Sequence, residues 1–195
     1  MGIPDDQIKN AAVASEAVDM DGTAEATDRA DDVDTQDGLY LIGGDHCGGL
    51  TPELRAGGLF RKIVKFSDPD EFTKFQSPQF LAFQWLINED ERKLCPSDSE
   101  LEIDQRYVLA VLYYSMFGDL WPKCGRITSA GFTSDCEDDS RRFLSGSDVC
   151  EWNGVICNDE NHIVRISVSK MTIGGFIPQE VDGLPYLSSV IITRD

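Results

Sequence analysis

"VCEWNGVIC", residues 149 to 157, sets two cysteines seven positions apart with Trp152 and Gly154 between them. Cys150 and Cys157 could ligate a metal, exchange electrons as a redox pair, or clasp the chain as a disulfide. The other cysteines are Cys47, Cys95, Cys124 and Cys136. None stands in C-x-x-C spacing, and the two histidines lie away from ligand spacing, which counts against zinc. No metal or cofactor is expected. Cys124 and Cys136 share one polar loop and make a weaker second pair, while Cys47 and Cys95 have no assigned partner.

His46 directly precedes Cys47 in the glycine-rich stretch "GLYLIGGDHCGGLTPELRAGG", residues 38 to 58. Adjacent side chains seldom face each other as nucleophile and base, so a flexible loop is the expectation. A phosphate loop would need Lys and Ser or Thr after the last glycine, and neither is there. "DCEDDS", residues 135 to 140, lacks the alternate spacing and glycine of an EF-hand loop. An enzyme would have to rest on these carboxylates or on Cys47. No cofactor fingerprint or supported histidine accompanies them, so no catalytic residue is expected.

The net charge of −18 excludes a basic groove for nucleic acid. Residues 1 to 38 hold 11 Asp and Glu against Lys9 and Arg29, and no Leu, Phe, Tyr or Trp. Such a segment cannot bury enough apolar surface to offset its ordering entropy. A disordered acidic tail followed by a glycine-rich linker is therefore expected over 1–66. The N-terminus lacks a basic n-region and an apolar h-region, so no secretory signal is read there. The longest apolar run, "YVLAVLYY" at 107 to 114, is too short to span a bilayer.

The elements that must position these residues are legible from about residue 68. A short helix is expected from Asp68 to Phe75 with Pro69 in its first turn. Ser77 then caps a helix with Pro78 at its first position, and Phe80, Phe83 and Ile87 recur at helical spacing. A second helix, from about Leu101 to Phe117, carries Ile103, Tyr107, Ala110, Val111 and Tyr114 on one face. Val108, Leu109 and Leu112 fill the opposite side, so it should be buried nearly all round, with Gly118 as a left-handed cap.

After Cys157 the pattern changes. Ile163, Ile166 and Val168 are spaced 0, 3, 5, and Leu187, Val190 and Ile192 repeat that spacing 24 residues later. A short strand with inward apolar residues, returned by a turn, lets each coil cover its neighbour. "GGFIPQEVDGLPYL" resembles the signature of the plant-type leucine-rich repeat, with Gly175, Ile177 and Pro178 in its turn. Met171 departs from the pattern, which favours Asn there. "C-x-W-x-G-V-x-C" directly before it resembles the N-terminal cap of that family. "SPQFLAFQWLINED", "QRYVLAVLYY" and the turn holding Gly118 and Trp121 are similar to the capping region of diatom leucine-rich-repeat proteins.

The resemblance implies an α+β fold: a helical cap over 67–158, then one to two repeats over 159–195, truncated at the second. It implies a Cys150–Cys157 disulfide with Trp152 filling the cap. It also implies a non-catalytic, receptor-like module whose concave face binds protein or peptide. The outward positions would be Arg165, Ser167, Ser169, Ser189, Ile191 and Thr193. An extracellular or membrane-associated setting would suit the family, although no signal is read. The edge formed by Leu187, Val190 and Ile192 is expected to lie uncovered and to invite self-association.

Overall fold

A computed structural model describes residues 46–127, 135–168 and 175–193. The acidic residues 1–38, the outward position Ser169 and the departing Met171 lie outside the described residues. Three α-helices come first: α1 (Pro52–Ile63), α2 (Pro78–Asn88) and α3 (Glu100–Ser115). Three strands follow, β1 (Val155–Cys157), β2 (Ile163–Val168) and β3 (Ser189–Ile192), in one sheet of that order. The described residues thus form a mixed body of helices and one small sheet, not a solenoid. No helix among them is long and apolar enough to cross a membrane.

Each helix begins at a hydroxyl cap. Thr51, Ser77 and Ser99 accept hydrogen bonds from the backbone N–H three residues on, and proline opens the first two helices. The short helix expected from Asp68 is a 3-10 turn over Pro69–Thr73, capped by the Asp68 carboxylate. Helix α3 is the centre of the core: Ile103 and Tyr107 to Leu112 are fully buried. A helix apolar all round is stable only when neighbours cover every side.

Two expectations change. The linker assigned up to residue 66 gives way at residue 52 to α1, which buries Leu59, Phe60 and Ile63 in the common core. Its cap and apolar spacing were readable, but Gly57 and Gly58 masked them. Gly58 is needed because a Cβ there would lie 2.3 Å from Cγ of Pro96. The left-handed residue after α3 is Phe117, with φ of +52°, and not Gly118. Gly118 serves close packing instead, since a Cβ would meet the Tyr113 ring at 2.2 Å.

The core runs on across residues 66 and 158. One apolar cluster runs from Ala56 through Trp85, Leu109 and Trp152 to Ile166 and Leu184. A buried polar chain also crosses it. Glu180 accepts from Ser67 Oγ at 2.7 Å and Gln79 Nε2 at 2.9 Å, and Ser67 Oγ lies 2.7 Å from the Tyr107 hydroxyl. Burial pushes the Tyr107 phenol far above its usual range, so it stays a neutral partner. Hydrogen bonds fastened in a dry interior fix one relative placement of the segments that make them.

Candidate functional site

The segment that opens the sheet is set from its first residue. Asp148 Oδ1 accepts from the Cys150 N–H at 2.9 Å and caps the turn Val149–Glu151. Cys150 and Cys157 are joined by a disulfide, with Cα atoms 5.6 Å apart. Cys124 pairs with Cys136, and Cys47 pairs with Cys95 across 48 residues. No cysteine among the described residues is free. In this bond Cys47 carries no thiol.

Inside the clasp, Trp152 is buried against Trp85, with ring centroids 6.2 Å apart, and Phe143 at 5.3 Å. The Arg106 guanidinium lies against both indoles, 5.2 Å from the Trp85 centroid and 5.1 Å from that of Trp152. It forms a buried, two-pronged ion pair with Asp90, Nε donating to Oδ2 at 2.9 Å and Nη2 to Oδ1. The remaining prongs donate to Ser147 O at 2.7 Å and Ser145 O at 2.9 Å. Arginine suits this place because a planar fork can stack on rings while its edge donates.

Gln105, Arg106 and Tyr107 therefore each reach a different segment from adjacent positions. Gln105 donates to Asn161 O at 3.0 Å and accepts from Ile163 N–H at 2.8 Å, docking the hairpin between β1 and β2 onto α3. Helical geometry points three consecutive side chains about 100° apart, so a buried helix can address three neighbours at once.

The sheet brings the expected surface positions together. β1 runs antiparallel to β2, with Ile156 opposite Arg165. β2 runs parallel to β3, with Arg165 beside Ser189 and Ser167 beside Ile191. Ile166 and Val168 turn into the core. Gly154 lets the strands close: its φ is +84°, and a Cβ would lie 1.9 Å from the Ser167 carbonyl oxygen. The outward face thus carries Ile156, Arg165, Ser167, Ser189 and Ile191, with Thr193 just beyond β3. Ile156 and Ile191 are 47% and 41% exposed, while the Ser189 hydroxyl is buried without a hydrogen-bond partner.

Ile156 escaped the sequence reading because it lies between the clasp cysteines, where no strand was expected. Alternation of Val155 inward and Ile156 outward was the available signal. The structure also brings His46, Cys47 and Cys95 into one cluster, with a ring nitrogen and both sulfurs within 4.8 Å of one another. A separate open cleft of about 640 Å³ is floored by Trp85 and Phe143. On its lining Arg126 pairs with Glu89 at 2.9 Å and, beside it, with Asp119 at 2.8 Å.

A stretch of 47 residues is 34% identical to a probable LRR receptor-like serine/threonine-protein kinase of Arabidopsis thaliana. It covers 24% of this chain and 7% of that protein. The similarity relates part of the chain to a leucine-rich-repeat receptor-like protein, at that coarse level and no finer. No family model matches the chain, and no solved structure does.

The clasp has a measurable consequence. Replacing Cys150 and Cys157 together with serine is expected to lower stability by roughly 2–3 kcal/mol, because closing even a short loop restricts the unfolded chain. Urea unfolding of the oxidised parent and the double variant measures it. A change under about 0.5 kcal/mol would mean that packing around Trp152 alone sets this segment.

Proposed function

We propose that this chain is a non-catalytic recognition module. Its helical region caps the start of a leucine-rich-repeat array, and the outward face of its sheet binds protein or peptide. The observation that carries the reading is the β2–β3 register. Each β2 residue from Arg165 to Val168 lies beside the residue 24 positions later, Arg165 beside Ser189 and Val168 beside Ile192. That offset is the spacing of the apolar sequence pattern, as one coil laid on the next requires. Partial similarity to a leucine-rich-repeat receptor-like kinase supports the same reading. Kinase chemistry is not carried over from so small a share of that protein.

The face suits a peptide. Ile156 and Ile191 offer exposed apolar surface on either side of Arg165, which supplies one cation and a planar donor edge. Selection of a random peptide library on the oxidised chain tests this. Binders are expected to lose at least about tenfold in affinity to the Arg165→Glu and Ile191→Lys variants, since hot spots cost 2 kcal/mol or more. Binders indifferent to both substitutions would place recognition elsewhere and sink the proposal.

A second reading rests on the free side of β3. That strand pairs only with β2 among the described residues, and Leu187, Val190 and Ile192 are half-buried. An edge with apolar side chains can accept another strand. Self-association is then expected to rise with protein concentration in sedimentation velocity, and Val190→Lys to suppress it. A parent that stays monomeric at high concentration argues against this reading.

A further inference from the structure

We propose that the corner formed by His46, Cys47 and Cys95 is a redox-gated zinc site. Oxidised, it is the Cys47–Cys95 disulfide. Reduced, its two thiolates and one imidazole nitrogen hold a zinc ion, with water in the fourth position. Three features of the corner, all independent of the sheet face, support this.

The ligand set is already assembled. The His46 nitrogen and both sulfurs lie within 4.8 Å of one another. A tetrahedral zinc ion, with Zn–S about 2.3 Å and Zn–N about 2.0–2.1 Å, holds such atoms roughly 3.5–3.8 Å apart. Parting of the two sulfurs is the main adjustment, and the Cα separation of 5.5 Å leaves side-chain rotation to supply it.

The imidazole keeps one nitrogen for a ligand. His46 Nε2 lies 2.7 Å from the Lys93 carbonyl oxygen. A carbonyl only accepts, so Nε2 carries the proton, and Nδ1 keeps the lone pair a metal needs. Metal-binding histidines commonly have their second nitrogen anchored to a carbonyl in this way.

The two arms stay together without the disulfide. Arg55, on α1, donates to Leu94 O at 2.9 Å, Ile87 O at 2.8 Å and Leu86 O at 3.4 Å. Asp98 Oδ2 holds the Cys95 N–H at 2.7 Å. These bonds and the burial of Leu59 and Leu94 fasten residues 86–98 to α1. His46 is exposed and Cys47 half-buried, so solvent and a small dithiol can reach the bond.

The chemistry balances. A dithiol reductant gives two electrons and two protons to the S–S bond and leaves as its own disulfide, and Cys47 and Cys95 become thiols. Zinc then displaces both thiol protons and binds the two thiolates and Nδ1 of His46. A small-molecule disulfide reverses the sequence: it takes two electrons from the two thiolates and two protons from water, leaves as two thiols, and the re-formed S–S bond releases the ion.

The 195-residue chain is reduced with dithiothreitol, desalted without oxygen, and dialysed against zinc. Cysteines are then alkylated and mapped by peptide mass. One zinc per chain is expected, with Cys47 and Cys95 alone protected from alkylation. Cobalt in place of zinc should give a thiolate charge-transfer band with tetrahedral visible bands. His46→Gln should weaken zinc binding at least about tenfold while leaving the circular dichroism of the oxidised chain unchanged. The proposal is overturned by any of four results: absence of bound zinc, protection falling on other cysteines, an unaffected His46→Gln variant, or unfolding of the chain on reduction.

Discussion

Arg106→Ala is expected to destabilise the chain by at least about 3–5 kcal/mol, the loss found when one partner of a buried ion pair is removed. Both side chains of the Arg106–Asp90 pair are fully shielded from water. The substitution strands the Asp90 carboxylate in that environment and opens space beside the Trp85 and Trp152 rings. It also orphans the carbonyls of Ser145 and Ser147, which lead into the Asp148 cap and the clasp. Changing Asp90 to a small apolar residue and Arg106 to methionine together should cost less than Arg106→Ala alone, because no charge is left unpaired. Urea midpoints at unchanged m-value measure the difference. A loss under about 1 kcal/mol for Arg106→Ala would show that water reaches Asp90, and the dry-pair account would fail.

Trp152→Ala is expected to cost a further class of energy, about 3–5 kcal/mol from a large cavity under the sheet. Trp152 is 1% exposed and touches the Trp85, Phe143 and Arg106 groups at once. Its indole N–H is buried without a partner, so the side chain is held by packing and not by a hydrogen bond. Trp152→Phe should therefore be much milder, keeping a ring in place and removing an unpaired donor. Hydrogen exchange under native conditions should speed up first in residues 155–168, whose Val155, Ile163 and Ile166 share the core cluster with this ring. Equal losses for the alanine and phenylalanine variants would mean that the indole makes a bond through water, and would refute the packing argument. The two substitutions share neighbours, so their costs should not add.

Caps and local spacing were readable because they act within four residues. Ser77 and Pro78 announce α2, and the all-round apolar pattern announces the burial of α3. Helix α1 was missed although Thr51 and Pro52 were there to see, because two glycines ordinarily argue against a helix interior. The reason for Gly58 lies in Pro96, far along the chain, which no local pattern reports.

By itself the sequence determined the acidic balance, the starts of two helices, the apolar stripe of α3 and the 24-residue spacing of the strand residues. Those properties follow from composition and from neighbours in the chain. The tertiary structure alone decided what lies across large separations. It set Arg106 against Asp90 and against two indoles, tied Glu180 to Ser67, placed Ile156 beside Arg165, and joined Cys47 to Cys95 next to His46. A buried charge or polar group is stable only where the whole fold has already brought its partner to it, and that partner is written nowhere near it in the chain.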